Sequence, residues 1–415
     1  MSIPGYEPAA TATAPANVAR PVLAATWSAH VLDTGAVHDE LNRLWGELGI
    51  AQATRPPEDD ALIAGVLVRA NTLNLICVAH STAEADRIQD AIVHLTDYHP
   101  SRAIILVADP ARKSAKSGLD VRVSLLEQKA MRGRPAIRFE CVHVEGDKQS
   151  AGHLASIASP LLVPELPDFL WWPGDSMTIS PLFDELAETA DRLIVDSAAM
   201  TRPAAGLPAL AALVARAHTL EVSDFAWARL RPWRQLIAQF FDQPGAQPCL
   251  THLDEVTIGY AGRDRDGASG LSGALLMLGW LASRLRWESA GPLHHANSGW
   301  AGSLRGGAGG QREIAVRLRP IHGATAPRCL AAVTLAAHKE CPGTFAIERT
   351  SPQTLTTASE TPNMPRISRM VYTRPQTDTE LLGTELQIFG DDPIFEAALA
   401  TAARLLPQEQ EHDKA

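Results

Sequence analysis

Apolar positions recur along this chain with two periods, and the period shifts from one segment to the next. Val37, Leu41, Leu44, Trp45 and Leu48 fall at helical spacing, with Thr34 placed to cap the start and Gly49 to end it. A polar break at 55–60 (RPPEDD) follows, and residues 62–79 (LIAGVLVRANTLNLICVA) then read as strand. The next helix spans 81–95. Ser81 caps it, Glu84 completes a capping box, and Ala85, Ile88, Ile92 and Leu95 share one face. Residues 102–109 (RAIILVAD) are an apolar run of the kind shown by strands buried on both sides. Strand, capped helix, strand is the grammar of a doubly wound sheet. Residues 121–126 and 137–144 alternate, as antiparallel or edge strands do, and 153–162 reads as a helix.

The stretch 164–242 is the most informative. It holds four of the nine tryptophans: Trp171, Trp172, Trp227 and Trp233. Phe169, Leu170, Trp171 and Trp172 form a short strand between Pro167 and Pro173, stopped by the turn Pro173-Gly174-Asp175. A helical pattern over 181–190 and the run RLIVD at 192–196 complete a βαβ unit. Residues 224–231 read as a short helix capped by Asp224. Pro232 then opens a second helix carrying Trp233, Leu236, Ile237, Phe240 and Phe241, the alternative being one helix kinked at Pro232.

Past the loop QPGAQP at 243–248 the pattern changes. Strand-like runs at 255–260, 313–318, 330–335, 344–348 and 381–389 accompany helices at 274–287 and 392–406. The fold class expected is α/β. A Rossmann-like sheet domain lacking a phosphate-binding loop is followed by an α+β domain with a mostly antiparallel sheet. The boundaries are a disordered tail at 1–25, the α/β domain at 26–245, the α+β domain at 246–406 and a frayed end at 407–415.

Three segments in the central stretch, PELPDFLWWPGD, DRLIVDSA and DFAWARLRPWRQLIAQFFD, resemble in that order segments of the OpcA family. Its members are called glucose-6-phosphate dehydrogenase assembly proteins. The likeness is densest over 161–242 and thinner over 62–109. None of these segments is a catalytic signature. The resemblance implies a non-enzymatic effector. It would bind glucose-6-phosphate dehydrogenase, promote its active oligomer, stand oligomeric in that complex, and support the oxidative pentose phosphate pathway and NADPH supply.

Composition narrows the alternatives. A formal charge of −10 gives no basic footprint for nucleic acid. Residues 1–21 lack the basic start and apolar centre of a leader, and the most apolar later run, 271–285, is too short to span a bilayer. Five scattered cysteines with no CxxC suggest no disulfide framework, and a cytoplasmic location. Cys77, Cys141 and Cys329 read as buried, whereas Cys249 and Cys341 lie beside a proline or turn and read as exposed. The turns after Ala79 and Val107 carry no glycine cradle, and no P-loop exists, so no cofactor is expected. Glycines 306, 307, 309 and 310 run into a strand and read as a hairpin or surface loop. His294-His295 has no carboxylate at ligand spacing, and no metal is expected. No catalytic residues emerge.

Arginine and tryptophan are the residues most enriched at binding hot spots. The candidate partner contacts are therefore Trp171, Trp172, Asp175, Trp227, Arg229, Arg231 and Arg234. Adjacent strand residues point opposite ways, so Trp171 and Trp172 face different layers, or one of them a groove or a partner. A second reading from another class is an enzyme or sugar-phosphate-binding module, with its site at the strand ends near Asp175 and Asp196.

Overall fold

The computed structural model describes residues 22–407 apart from 32–34, 54–67, 70, 96–98, 110–118, 129–136, 147–152, 175–180, 218, 265–266, 268, 297–298, 307–309, 363 and 389. The first half alternates strands and helices: β1 (Val22–Val31), α1 (Gly35–Ala53), β2 (Val68–Arg69), β3 (Leu73–Ala79), α2 (Thr82–Leu95), β4 (Ser101–Ala108), β5 (Leu119–Gln128) and β6 (Ile137–Gly146). It continues with α3 (Leu154–Ala158), β7 (Asp168–Trp172), α4 (Pro181–Thr189), β8 (Arg192–Val195), α5 (Pro203–Arg216), β9 (Glu221–Asp224), α6 (Phe225–Arg229) and α7 (Arg231–Phe241). The first sheet has the order β1-β5-β6-β4-β3-β7-β8-β9, with β2 paired to β6. Six neighbours from β6 to β9 are parallel, while β5 and β1 are antiparallel. This is a doubly wound arrangement, as the strand–helix alternation predicts. Its first strand begins at Val22, within the stretch read as a tail.

Burial on both faces explains the unbroken apolar runs. In β3, Ile76 and Val78 join the core on one side, and Leu75, Cys77 and Ala79 join that on the other. Ile88, Ile92 and Leu95 of α2 cover the second side. Asp224 caps α6, accepting from the Ala226 N–H at 2.8 Å, and Pro232 lies in the first turn of α7, so the two helices are separate.

The second half contains β10 (Glu255–Ala261), α8 (Leu271–Leu285), β11 (Glu288–Ser289), β12 (His294–Ala296), β13 (Gly299–Gly306), β14 (Arg312–Ile321), β15 (Leu330–Ala337), β16 (Gly343–Ser351), β17 (Thr354–Thr361), β18 (Met364–Tyr372), α9 (Asp378–Glu385) and α10 (Pro393–Leu405). Its sheet runs β11-β13-β14-β10-β15-β16-β17-β18, with β12 beside β13. Every pair is antiparallel except β10 with β14. β13 and β14 form the hairpin around the glycine-rich segment.

Two expectations are corrected. The segment 381–389 is not a strand: helix α9 occupies 378–385. Thr377 and Glu380 form a full capping box that starts it, and Leu381 and Leu382 bury against α2's side of the first sheet. Cys249 and Cys341 form a disulfide, and Cys249 is fully buried. The turn at 247–252 that carries Cys249 tucks inward, so the neighbouring proline does not signal exposure. Cys77 and Cys141 are buried as expected, and burial pushes the Cys141 thiol up to about 12.

Candidate functional site

In a doubly wound sheet, ligands sit outside the carboxyl ends of the strands, where the chain reverses its direction of winding. Here the chain moves from β3 to β4 on one side and later returns to β7 on the other, so that point lies between β3 and β7. Residues 80–84 follow β3, and Pro173 and Gly174 follow β7.

The chain's own groups meet in this crevice. A Cβ at Gly174 would stand 3.2 Å from the His80 ring, so the two turns are in contact. The Glu84 carboxylate accepts the His80 backbone N–H at 2.8 Å, and Ser81 Oγ accepts the Glu84 N–H at 3.2 Å. The first turn of α2 thus already carries an internal anion where a phosphate would dock. Trp172 closes the floor, edge-on to Phe183 at 5.0 Å and to His80 at 6.0 Å between ring centroids.

The next strand end is equally self-satisfied. Asp196, at the end of β8, accepts from both Arg229 terminal nitrogens, at 2.7 and 3.0 Å, and from the Ala198 N–H at 3.2 Å. Arg229 also reaches Asp378 at 3.0 Å, linking this corner to α9. Asp224 accepts the Ser197 hydroxyl at 2.6 Å and the Ser197 N–H at 3.0 Å. Burial pushes the Asp224 carboxyl up to about 6, against the pull of these donors. Such a corner holds structure. Asp196 and Asp224 face partners within the chain.

The candidate contacts separate into buried and exposed groups. Trp171 and Trp172 point to opposite sides of the sheet, and each is buried in a different layer of the chain itself. Trp227 is buried, donates its indole N–H to Asp392 at 2.8 Å, and lies under the Arg234 guanidinium, 3.5 Å from the ring centroid. Burial pushes Arg234 down to about 10. Arg231 is exposed at the start of α7. Asp175 lies outside the described residues. Among the described residues no cluster of His, Cys, Asp and Glu is placed to hold a metal ion, and no helix is long and apolar enough to cross a membrane.

Sequence reasoning missed the Arg229–Asp196–Asp378 link and the raised Asp224. Asp196 and Asp224 both end strands, which is a signal, but spacing does not show that Arg229 turns back onto Asp196, or that Asp378, 149 residues on, joins them.

The chain is 26% identical over 277 residues to a Synechocystis sp. protein provisionally named as the OxPP cycle protein OpcA, covering 65% of this chain and 56% of that protein. It is 34% identical over 149 residues to a Nostoc punctiforme protein of the same name, covering 36% of this chain and 30% of that one. The matched regions thus span about half or less of these relatives' length. Among solved structures, an NAD binding oxidoreductase from Klebsiella pneumoniae superposes with a TM-score of 0.45 at 11% identity, covering 81% of this chain and 95% of that one. A superposition that loose carries no argument about chemistry. The family model described as glucose-6-phosphate dehydrogenase subunit N-terminal domain matches residues 93–212, and that of the C-terminal domain matches 220–399. With both matched in order over most of its length, the chain belongs to the OpcA family of glucose-6-phosphate dehydrogenase assembly proteins.

Proposed function

We propose that this chain is a non-enzymatic effector that binds glucose-6-phosphate dehydrogenase in the cytoplasm and promotes its active oligomer, supporting the oxidative pentose phosphate pathway. One observation carries the non-enzymatic part. The strand-end crevice, where this architecture ordinarily places its chemistry, is occupied by His80 against Gly174 and by Arg229 on Asp196. The family match supplies the partner. An effector of this kind works by binding the active form of the enzyme more tightly than the inactive one, and the difference in affinity sets the shift in population.

The test is a titration of this protein into the dehydrogenase of the same organism, following NADPH formation together with size-exclusion light scattering. The expected result is a saturable rise in rate, or a lower half-saturating substrate concentration, with a co-eluting complex. Among the candidate contacts, Arg231 is offered as a partner contact because it is exposed. Arg231→Glu is expected to weaken the complex roughly tenfold or more while leaving the thermal midpoint unchanged. No complex and no kinetic change at micromolar concentrations of both would overturn the reading.

A further inference from the structure

Among the described residues, the second sheet buries one face and leaves most of the other uncovered. Along β14, Ile314, Val316 and Leu318 are buried, Ala315 and Arg317 between them are half-buried, and Arg319 and Ile321 beyond them are exposed. Along β16, Phe345 and Ile347 are buried while Thr344 and Glu348 are exposed. Residues paired across a sheet stand on the same side of it. The register therefore fixes what the bare face carries. One row crosses six strands as Arg319, Gly259, Ala332, Glu348, Thr356 and Met370. The neighbouring row has Thr257, Thr334, Ala346 and Ala358 at its centre.

This is not the surface of a sheet that faces water. Such faces carry long polar side chains, whereas the centre here is Gly, Ala and Thr. Five large apolar side chains are exposed among the described residues, and three of them stand on this face: Ile321 at 41%, Met370 at 80% and Tyr372 at 71%. Arg317 is neutralised within the chain by Glu255. Arg319 and Glu348 sit three strands apart, roughly 14 Å, too far to meet each other.

We propose that this face is a homodimer interface in which the second sheet stacks on its own copy about a two-fold axis. The sheet's midline falls between β10 and β15, and β14 and β16 lie equally far to either side. A two-fold axis along that midline, midway between the stacked sheets, lays β14 of each copy on β16 of the other. It sets Arg319 of one copy against Glu348 of the other, twice. The small residues on the midline let the sheets approach to about 10 Å. The face measures roughly 35 by 20 Å, or about 700 Å² per copy, close to the area a stable interface needs.

The full chain alone, in sedimentation velocity from low to high micromolar concentration, tests this without any dehydrogenase, so its outcome is separate from that of the effector reading. The wild type is expected at dimer mass. Thr334→Arg places a long cation on the midline from both copies and is expected to give monomers that still unfold in one cooperative transition, with a midpoint no longer dependent on protein concentration. Arg319→Glu and Glu348→Arg are each expected to raise the dimer dissociation constant roughly tenfold or more, because the two-fold repeats each change. The double variant Arg319→Glu/Glu348→Arg is expected to return it to within about threefold of the wild type. A monomeric wild type at high micromolar concentration, or a dimer that survives Thr334→Arg, would overturn the proposal. A monomeric wild type whose dehydrogenase complex is lost on Thr334→Arg would assign the face to the dehydrogenase instead.

Discussion

At the scale of single residues, the polar groups at the strand ends are set by burial. Asp224 shows this through its proton. Its carboxyl is fully buried, and its value of about 6 lies above the ordinary 3.8 of an unfolded chain. The folded chain therefore binds the proton more tightly than the unfolded chain does. The stability this group contributes is full below pH 3.8 and is lost as pH rises through about 6. Asp224→Asn has no such titration. The stability of the wild type relative to that variant is expected to fall by about 2–2.5 kcal/mol between pH 4 and pH 7, measured by urea unfolding at each pH. A gap that stays flat with pH would mean the carboxyl titrates normally. Arg229 and Asp196 answer to a different term. Both are nearly buried, with side chains 10% and 4% exposed, and removing Arg229 leaves Asp196 a buried charge without its cation, whereas Arg229 keeps Asp378 when Asp196 is removed. Arg229→Met is expected to cost about 3–5 kcal/mol, and Asp196→Asn/Arg229→Met much less, as read from the midpoints of thermal unfolding.

Between elements, α8 and α10 approach closely at Gly279. A Cβ built at Gly279 would lie 2.1 Å from the Ala398 carbonyl oxygen and 2.9 Å from the Ala402 nitrogen. Both obstacles are backbone, so neither can swing aside. Gly279→Ala is expected to destabilise the fold by roughly 1–3 kcal/mol, although alanine is the better helix former. Gly46 in α1 is the control. Nothing lies within 4 Å of its added Cβ, so Gly46→Ala is expected to stabilise by about 0.5–1 kcal/mol. A pair of denaturation curves separates the two. Elements of this sort were legible in the sequence where the pattern had contrast. The parallel strands β3 and β4 and the capped α2 read correctly, because burial on both faces forces unbroken apolar runs and a helix start needs its cap. Strands β17 (TLTTASET) and β18 (MPRISRMVY) did not read as strands. Their outward residues are mostly small, hydroxylated or apolar (Thr354, Thr356, Ala358, Ser368, Met370), with Glu360 and Arg366 the charged ones near the strand ends, so the alternation is weak. Helix α9 carried its signal in Thr377 and Glu380, but the apolar run after it suggested a strand.

Across the whole molecule, one core runs through both halves of the chain. Leu44 of α1, Trp172 of β7, Leu278 of α8 and Leu399 of α10 belong to a single cluster. The candidate site depended on this long-range closure, which is why spacing alone could not show it: the Arg229 partners come from residues 196 and 378. The same holds for the disulfide. Cys249 and Cys341 are 92 residues apart, on either side of β10 to β15, and neither lies in a recognisable motif. A bond closing so long a loop restricts the unfolded chain strongly, and bonds of this kind contribute about 2–4 kcal/mol. Cys341→Ala removes it while leaving Cys249 a small apolar thiol in the core. Under non-reducing conditions the variant is expected to unfold at a midpoint several degrees lower than the wild type. With excess dithiothreitol the two are expected to converge, since both then carry free thiols. Thiol titration of the denatured, non-reduced wild type should count the three free cysteines, Cys77, Cys141 and Cys329. A count of five, with equal midpoints in both conditions, would show that the chain folds with this pair reduced. The cross-link would then contribute nothing to the stability of the second sheet.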